Sequence, residues 1–304
     1  MIERILIVGT GLLGASTGLA LRANGFAGEV IGWDRDAAML QTALGRGALT
    51  SAADDPLHAA KDADLILLAG PVLAIVEWMG RLAEVLRPHQ LVTDVGSTKQ
   101  QITEAAAQHY NRAGRAGFLP GHPMAGKEVS GAAHADAQLF RGAVWLFTPA
   151  EPFAPESTAA ATAAEFRRLV DGFGCRTLEM DAARHDELLA WVSHLPQFLA
   201  TALSALFQDE FGADANLRAI GGRAMREMTR LGSSPYTMWR DVALSNPEHV
   251  EHALLALEQR LSHLREILRT PALRDEFERA NQFRAEAQAS SSAPPPIRVP
   301  YPTK

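Results

Sequence analysis

The chain has 304 residues, 47% hydrophobic and 21% charged, enough for one or two domains with a substantial core. Its formal net charge of −6, with no run of five basic residues, excludes the basic face that a nucleic-acid partner requires. The single cysteine, Cys175, excludes an internal disulfide and fits a reduced, cytoplasmic setting.

The N-terminus runs directly into an apolar strand pattern, without the charged and apolar regions of a secretion signal. No uninterrupted run of about 18 apolar residues occurs, so no transmembrane helix is expected. Ile5-Leu6-Ile7-Val8 reads as a buried strand. A glycine turn follows, then a helix to Asn24 that Gly25 stops. Further strands are expected at Glu29 to Trp33, Asp64 to Ala69, Gln90 to Asp94, Ala143 to Phe147 and Arg176 to Met180. Strands alternating with helices imply crossover units, hence an α/β, Rossmann-type domain with a mainly parallel sheet over residues 1–180.

From Asp181 the strand pattern gives way to helices, and residues 181–289 read as an all-α domain. Pro196 predicts a kink or break in its first helix. Asn246-Pro247-Glu248 reads as a helix start, with a side-chain cap, a proline in the first position and then an acid. Beyond it, Val250, Leu254, Leu257, Leu261, Leu264 and Leu268 alternate in steps of four and three. Such a seam serves either an intramolecular core or a dimer. Residues 290–304 are rich in serine and proline and predict a disordered tail.

Gly9-Thr10-Gly11-Leu12-Leu13-Gly14 matches G-x-G-x-x-G after a buried strand and before a helix. Gly9 permits the tight turn, Gly11 admits a pyrophosphate onto the helix N-terminus, and Gly14 lets helix and strand pack closely. Asp34 ends the next strand, where a carboxylate accepts from an adenosine ribose and disfavours a 2′-phosphate. The cofactor is therefore expected to be NAD, with NADP left open by the adjacent Arg35. No metal-ligand spacing is present.

Three stretches carry candidate chemistry. Ser97, in Asp94-Val95-Gly96-Ser97-Thr98-Lys99, stands at a strand's carboxyl end and is either a ligand or a helix cap. His122, between Gly121 and Pro123, is expected on a loop, where a proton acceptor for alcohol oxidation fits. Asp186, Ser193 and Gln197 are separated by seven and four residues and share one face of a regular helix.

The glycine fingerprint, DVGSTK, GHPMAGKEVSG, HDELLAWVSHLPQ and MREMTRLGSSPYTMWRDV follow the order seen in prephenate and arogenate dehydrogenases, which the chain resembles over residues 1–285. The resemblance implies a nucleotide domain followed by a helical dimerisation domain, and hence a homodimer. It implies NAD-linked oxidative decarboxylation of prephenate to 4-hydroxyphenylpyruvate in tyrosine biosynthesis, with arogenate the alternative substrate. By the same resemblance His122 bonds the ring hydroxyl, Ser97 supports the hydroxyl and the nicotinamide, and Arg226 grips a substrate carboxylate. Glu227 stands where aspartate is usual. Gln197 replaces a histidine common in prephenate-using members, Lys127, following the HPMAG loop, is a candidate compensating charge, and Ser193 is a candidate substrate contact. A β-hydroxyacid dehydrogenase would leave the HPMAG and SHLP stretches unexplained. A non-catalytic nucleotide sensor would leave Ser97, His122 and Arg226 without a purpose. With an ordinary histidine pKa of roughly 6.5, efficiency is expected to fall in acid as His122 protonates.

Overall fold

The apolar runs of the first half become strands buried on both sides, as a parallel sheet covered by helices demands. The computed structural model describes residues 1–149, 153 and 158–292. Strands β1 (Arg4–Val8), β2 (Glu29–Trp33), β3 (Ser51–Ala52), β4 (Leu65–Leu68), β5 (Leu91–Asp94) and β6 (Gly117–Leu119) form a six-stranded sheet in the order β3-β2-β1-β4-β5-β6, every pair parallel. A second sheet joins β7 (Gly121–Pro123) antiparallel to β8 (Val144–Phe147), and β8 parallel to β9 (Arg176–Glu179).

Alternation along the strands divides the core. Ile5, Ile7, Leu65 and Leu67 pack toward Trp145, Phe147 and Phe166, whereas Leu6, Val8, Ile66 and Leu68 pack toward Ile75, Met79 and Phe118. Each such buried side chain contributes about 1.5–3 kcal/mol. Strands β3, β6 and β7 escape sequence reading because two or three residues cannot display a period. His122 therefore lies on a strand, opposite Leu146 of β8, and not on the expected loop.

The helices of this half are α1 (Leu12–Ala23), α2 (Ala37–Gly45), α3 (Pro56–Ala60), α4 (Val72–Ala83), α5 (Gln100–His109) and α6 (Ala159–Gly172). Helix α1 stops where expected, with Gly25 at φ +79. After β9 come α7 (Ala182–Leu189), a π turn (Ala190–His194), α8 (Leu195–Phe211), α9 (Ala215–Ile220) and α10 (Arg223–Thr229). A 3₁₀ turn (Arg230–Ser233), α11 (Tyr236–Ser245), α12 (Pro247–Ile267) and α13 (Ala272–Ser292) complete the series.

The π turn is the break that Pro196 predicts. Proline has no N–H to give the carbonyl four residues back, and a widened turn ahead of it absorbs the mismatch. Among the described residues, the continuous stretch Ala182–Phe211 is long and apolar enough by composition to cross a membrane. Reading unbroken apolar runs misses it, because hydropathy averages over its polar positions. Those positions, His185, Asp186, His194 and Gln197, are buried in the protein, whereas only 28% of the apolar window is.

Packing divides the chain into one unit from Met1 to Val250 and another beginning at Glu251. The boundary expected at 180/181 marks where strands end, yet the packing division falls later. Asp186, Asp241 and Ser245 all hydrogen-bond into the nucleotide half, through Lys99, Leu73 and Thr98. Within the second unit, Leu254, Leu261 and Leu268 of the heptad-like seam are exposed in the single chain. Helix α13 continues through Ser292, three residues into the expected tail, and the rest of that tail lies outside the described residues.

Candidate active site

Strand β1 delivers the chain to Gly9, whose φ of +96 suits glycine. A Cβ there would stand 2.5 Å from the Ala69 carbonyl oxygen, and one on Gly14 would collide with the Gly9 carbonyl. A Cβ on Gly11 would meet nothing within 4 Å, so the backbone faces open space at that residue. Gly11 is also the N-cap of α1 and supplies no side-chain cap, which leaves the positive end of the helix for a ligand. These features fit a dinucleotide pyrophosphate. Asp34 lies beside them. Its Oδ2 accepts from Thr10 N at 2.6 Å and Thr10 Oγ1 at 3.2 Å, and its Oδ1 accepts from Asp36 N at 2.9 Å.

Gly9, Gly11, Leu12, Leu13, Asp34 and Arg35 line a cleft of about 700 Å³ that also holds Ser97, His122, Ser193, Gln197 and Arg230. Thr10 and Gly14, expected at the cofactor, do not line it. Thr10 is fully buried and holds Asp34, while Gly14 packs against Gly9 behind the turn.

At the other end of the cleft three side chains stand in series. His122 Nδ1 is 2.9 Å from His185 Nε2, and His185 Nδ1 is 2.7 Å from Asp186 Oδ1. Asp186 also accepts from Lys99 N at 2.7 Å and Gln100 N at 2.9 Å, bonding the first N–H groups of α5 from outside that helix. Behind them Asp94 accepts from Gly96 N at 2.7 Å, Gly121 N at 3.1 Å and the Lys99 ammonium. Burial carries the His122 pKa well below its ordinary value, helped by His185, Lys99 and His194. Burial also lowers His185, against the pull of Asp186, and brings His194 to about 4. It lowers Lys99 as well, against the opposing pull of Asp94. At neutral pH the cleft therefore presents an uncharged imidazole beside a dinucleotide cradle.

The family model described as "Prephenate dehydrogenase, nucleotide-binding domain" matches residues 17–174, and "Prephenate dehydrogenase, dimerization domain" matches residues 181–283. The chain belongs to the prephenate dehydrogenase family. It is 32% identical to prephenate dehydrogenase of Lactococcus lactis subsp. cremoris, over 96% of this chain and 80% of that protein. The crystal structure of Aquifex aeolicus prephenate dehydrogenase, in complex with hydroxyphenyl propionate and NAD+, superposes with a TM-score of 0.78 at 27% identity, covering 95% of this chain and 97% of that one. Synechocystis arogenate dehydrogenase gives 0.72 at 28% identity, covering 93% and 99%.

In this member of the prephenate dehydrogenase family, Arg226, Lys127, Ser97 and Asp186 stand differently toward the cleft. Arg226 does not line the cleft: it is exposed, and Nη1 donates to the Gly221 carbonyl at 3.0 Å. Arg230, one turn on, lines the cleft and pairs with Glu128 at 3.1 Å. The reason is that α10 ends at Thr229, and the 3₁₀ turn starting at Arg230 directs the chain along α8. Lys127 lines the cleft, but its ammonium donates to the His134 carbonyl at 2.9 Å and lies 3.8 Å from Asp136, so its charge is engaged elsewhere. Ser97 is half-buried on the cleft wall and does not cap α5, whose N-cap is Lys99 without a side-chain bond. Asp186 does not share the cleft face of Ser193 and Gln197. The π turn adds a residue between them, and one residue turns a helix by about 100°. The sequence signal for a buried pair is the adjacent His185-Asp186 at the start of a helix, two polar groups too costly to bury without partners.

Proposed function

We propose that this chain is an NAD-dependent prephenate dehydrogenase of tyrosine biosynthesis, converting prephenate to 4-hydroxyphenylpyruvate and carbon dioxide. The observation that carries this reading is the neutral His122, placed in the same cleft as the glycine cradle and Arg230. The nicotinamide of a bound NAD supplies the hydride acceptor. His122 accepts the ring hydroxyl's hydrogen bond as the carbinol hydrogen departs, stabilising positive charge that develops on the oxygen. The bond to the ring carboxylate breaks, its electron pair completes the aromatic ring, and the hydroxyl proton stays with the phenol, so no net proton is released. Ser97 orients the hydroxyl and the nicotinamide side, Arg230 attracts a carboxylate, and Ser193 and Gln197 bound the substrate's side chain. Asp34 favours NAD by accepting from the ribose hydroxyls and repelling a 2′-phosphate, although Arg35 borders the same cleft.

One observation favours arogenate as a second reading. Gln197 Nε2 donates to the Leu231 carbonyl at 2.7 Å and to Thr201 Oγ1 at 3.2 Å. A carbonyl only accepts, so the amide orientation is fixed and Oε1 remains without a partner. Gln197 lines the cleft, so a turn of its side chain would offer this buried acceptor to an ammonium, which it suits better than a ketone. The test is the appearance of reduced nicotinamide absorbance in mixtures of the enzyme with prephenate or arogenate and NAD or NADP. Turnover of prephenate with NAD is the expected result. Turnover of arogenate alone moves the assignment to the second reading, and silence in all four mixtures overturns both.

The helical half is the dimerisation half of a homodimer. Trp191 at 40%, Val192 at 63%, Leu206 at 52% and Phe211 at 50% exposed leave four large apolar side chains uncovered on one helical stretch. Light scattering at micromolar concentration is expected to give twice the chain mass. A monomer at every concentration tested would exclude the dimer.

A further inference from the structure

We propose that His185 and Asp186 are a positioning pair that holds His122 as a single tautomer, with Nδ1 protonated and Nε2 bare toward the cleft. The inference rests on the reading above in which His122 accepts the hydrogen bond of the ring hydroxyl. Asp186 and His185 are fully buried. Both Asp186 oxygens accept backbone N–H groups, from Lys99 and Gln100, and a backbone N–H can only donate. Asp186 is therefore a carboxylate, and the 2.7 Å bond to His185 requires the proton on His185 Nδ1. In the neutral ring Nε2 of His185 is then a lone pair. That lone pair accepts at 2.9 Å from His122, which places a proton on His122 Nδ1. The remaining nitrogen of His122, Nε2, is the acceptor that alcohol oxidation needs.

The row is braced at both ends. The Asn246 side-chain amide donates to the Asp186 carbonyl at 2.8 Å, and Asp94 binds the backbone N–H of Gly121 beside His122. The charges are arranged to match. Lys99 is paired with Asp94, so its cation is balanced, whereas among the described residues the hydrogen bonds to the Asp186 carboxylate come from the backbone of Lys99 and Gln100 and from His185. As His122 gains positive character, that carboxylate, one imidazole away, stabilises it. His194, the remaining ionisable ring near His122, is held neutral by burial. The logic is that of other acid–imidazole arrangements, in which the acid sets the tautomer and does not itself take the proton.

The direct test is a long-range proton–nitrogen correlation spectrum of the ¹⁵N-labelled full chain at neutral pH. The His122 signals are those missing from the His122→Asn spectrum. The Nδ1-protonated pattern is the expected result, and an Nε2-protonated His122 overturns the proposal. Kinetics give a second readout. His185→Leu, which removes the acceptor, is expected to lower kcat by about 10²-fold with KM changed less than about threefold. His185→Gln, whose amide can accept from His122 and donate to Asp186, is expected to regain at least about tenfold of that loss. Equal losses in the two variants, or a loss in KM alone, would also overturn it. If no substrate turns over, the proposed function fails, and the spectrum still judges the tautomer.

Discussion

His122→Asn is expected to reduce kcat/KM by on the order of 10²–10³-fold, the usual loss when one positioned hydrogen-bond partner of a developing charge is removed, while dinucleotide affinity stays within about twofold. The nucleotide cradle is built from Gly9, Gly11 and Asp34, none of which touches His122 through a hydrogen bond. The pH profile sharpens the test. His122 works as a neutral hydrogen-bond acceptor, and burial lowers its pKa well below the ordinary value. Efficiency is therefore expected to stay level as pH falls past roughly 6.5, and to drop only further into acid, correcting the ordinary-histidine expectation. Stability has its own sign. The unfolded chain binds protons at His122, His185 and His194 that the folded chain refuses. Stability thus declines as pH falls below about 6.5, and circular dichroism must accompany each rate. A wild-type acid limb near 6.5 in folded protein, or an undiminished rate in the variant, would remove His122 from its role.

Arg230→Ala is expected to raise the apparent KM for prephenate by about 10²-fold, or about 2–3 kcal/mol, with a smaller effect on kcat. The figure is set at the low end for a charge pair because the Arg230 side chain is 56% exposed and already paired with Glu128. Prephenate carries two carboxylates, and the cation of Lys127 is engaged with His134 and Asp136. Arg226→Ala is the control and should change KM less than Arg230→Ala. The reverse order would restore Arg226 to the site.

The parts of this fold that were legible in the sequence are those set by neighbours along the chain. Ile5 to Val8, the glycine turn and Asp34 announce themselves because strand, turn and carboxylate follow within one crossover unit. The choice between Arg226 and Arg230 was not legible. Four residues apart on one helical pattern, they share a face until the helix ends, and α10 ends at Thr229, between them. The His122–His185 contact joins residues 63 apart in the chain, which no local period reports. Asp186 is legible, but a 3.6-residue repeat run through Ala190–His194 gives it the wrong neighbours, because the backbone does not keep that repeat there.

That widened turn makes this stretch intolerant of changes in length. Surface loops accept insertions and deletions because nothing downstream depends on their phase. Between Asp186 and Gln197 the phase carries information: upstream the helix addresses the buried base, downstream it forms the cleft wall. Losing a single residue from Ala190–His194 would restore an ordinary helix, swing the two halves by about 100° and shorten their separation by about 1.5 Å. Substitutions there are graded in effect, whereas a one-residue deletion would aim either the base support or the wall in the wrong direction. In that sense residues 190–194 act as a spacer whose length sets the phase between the two halves.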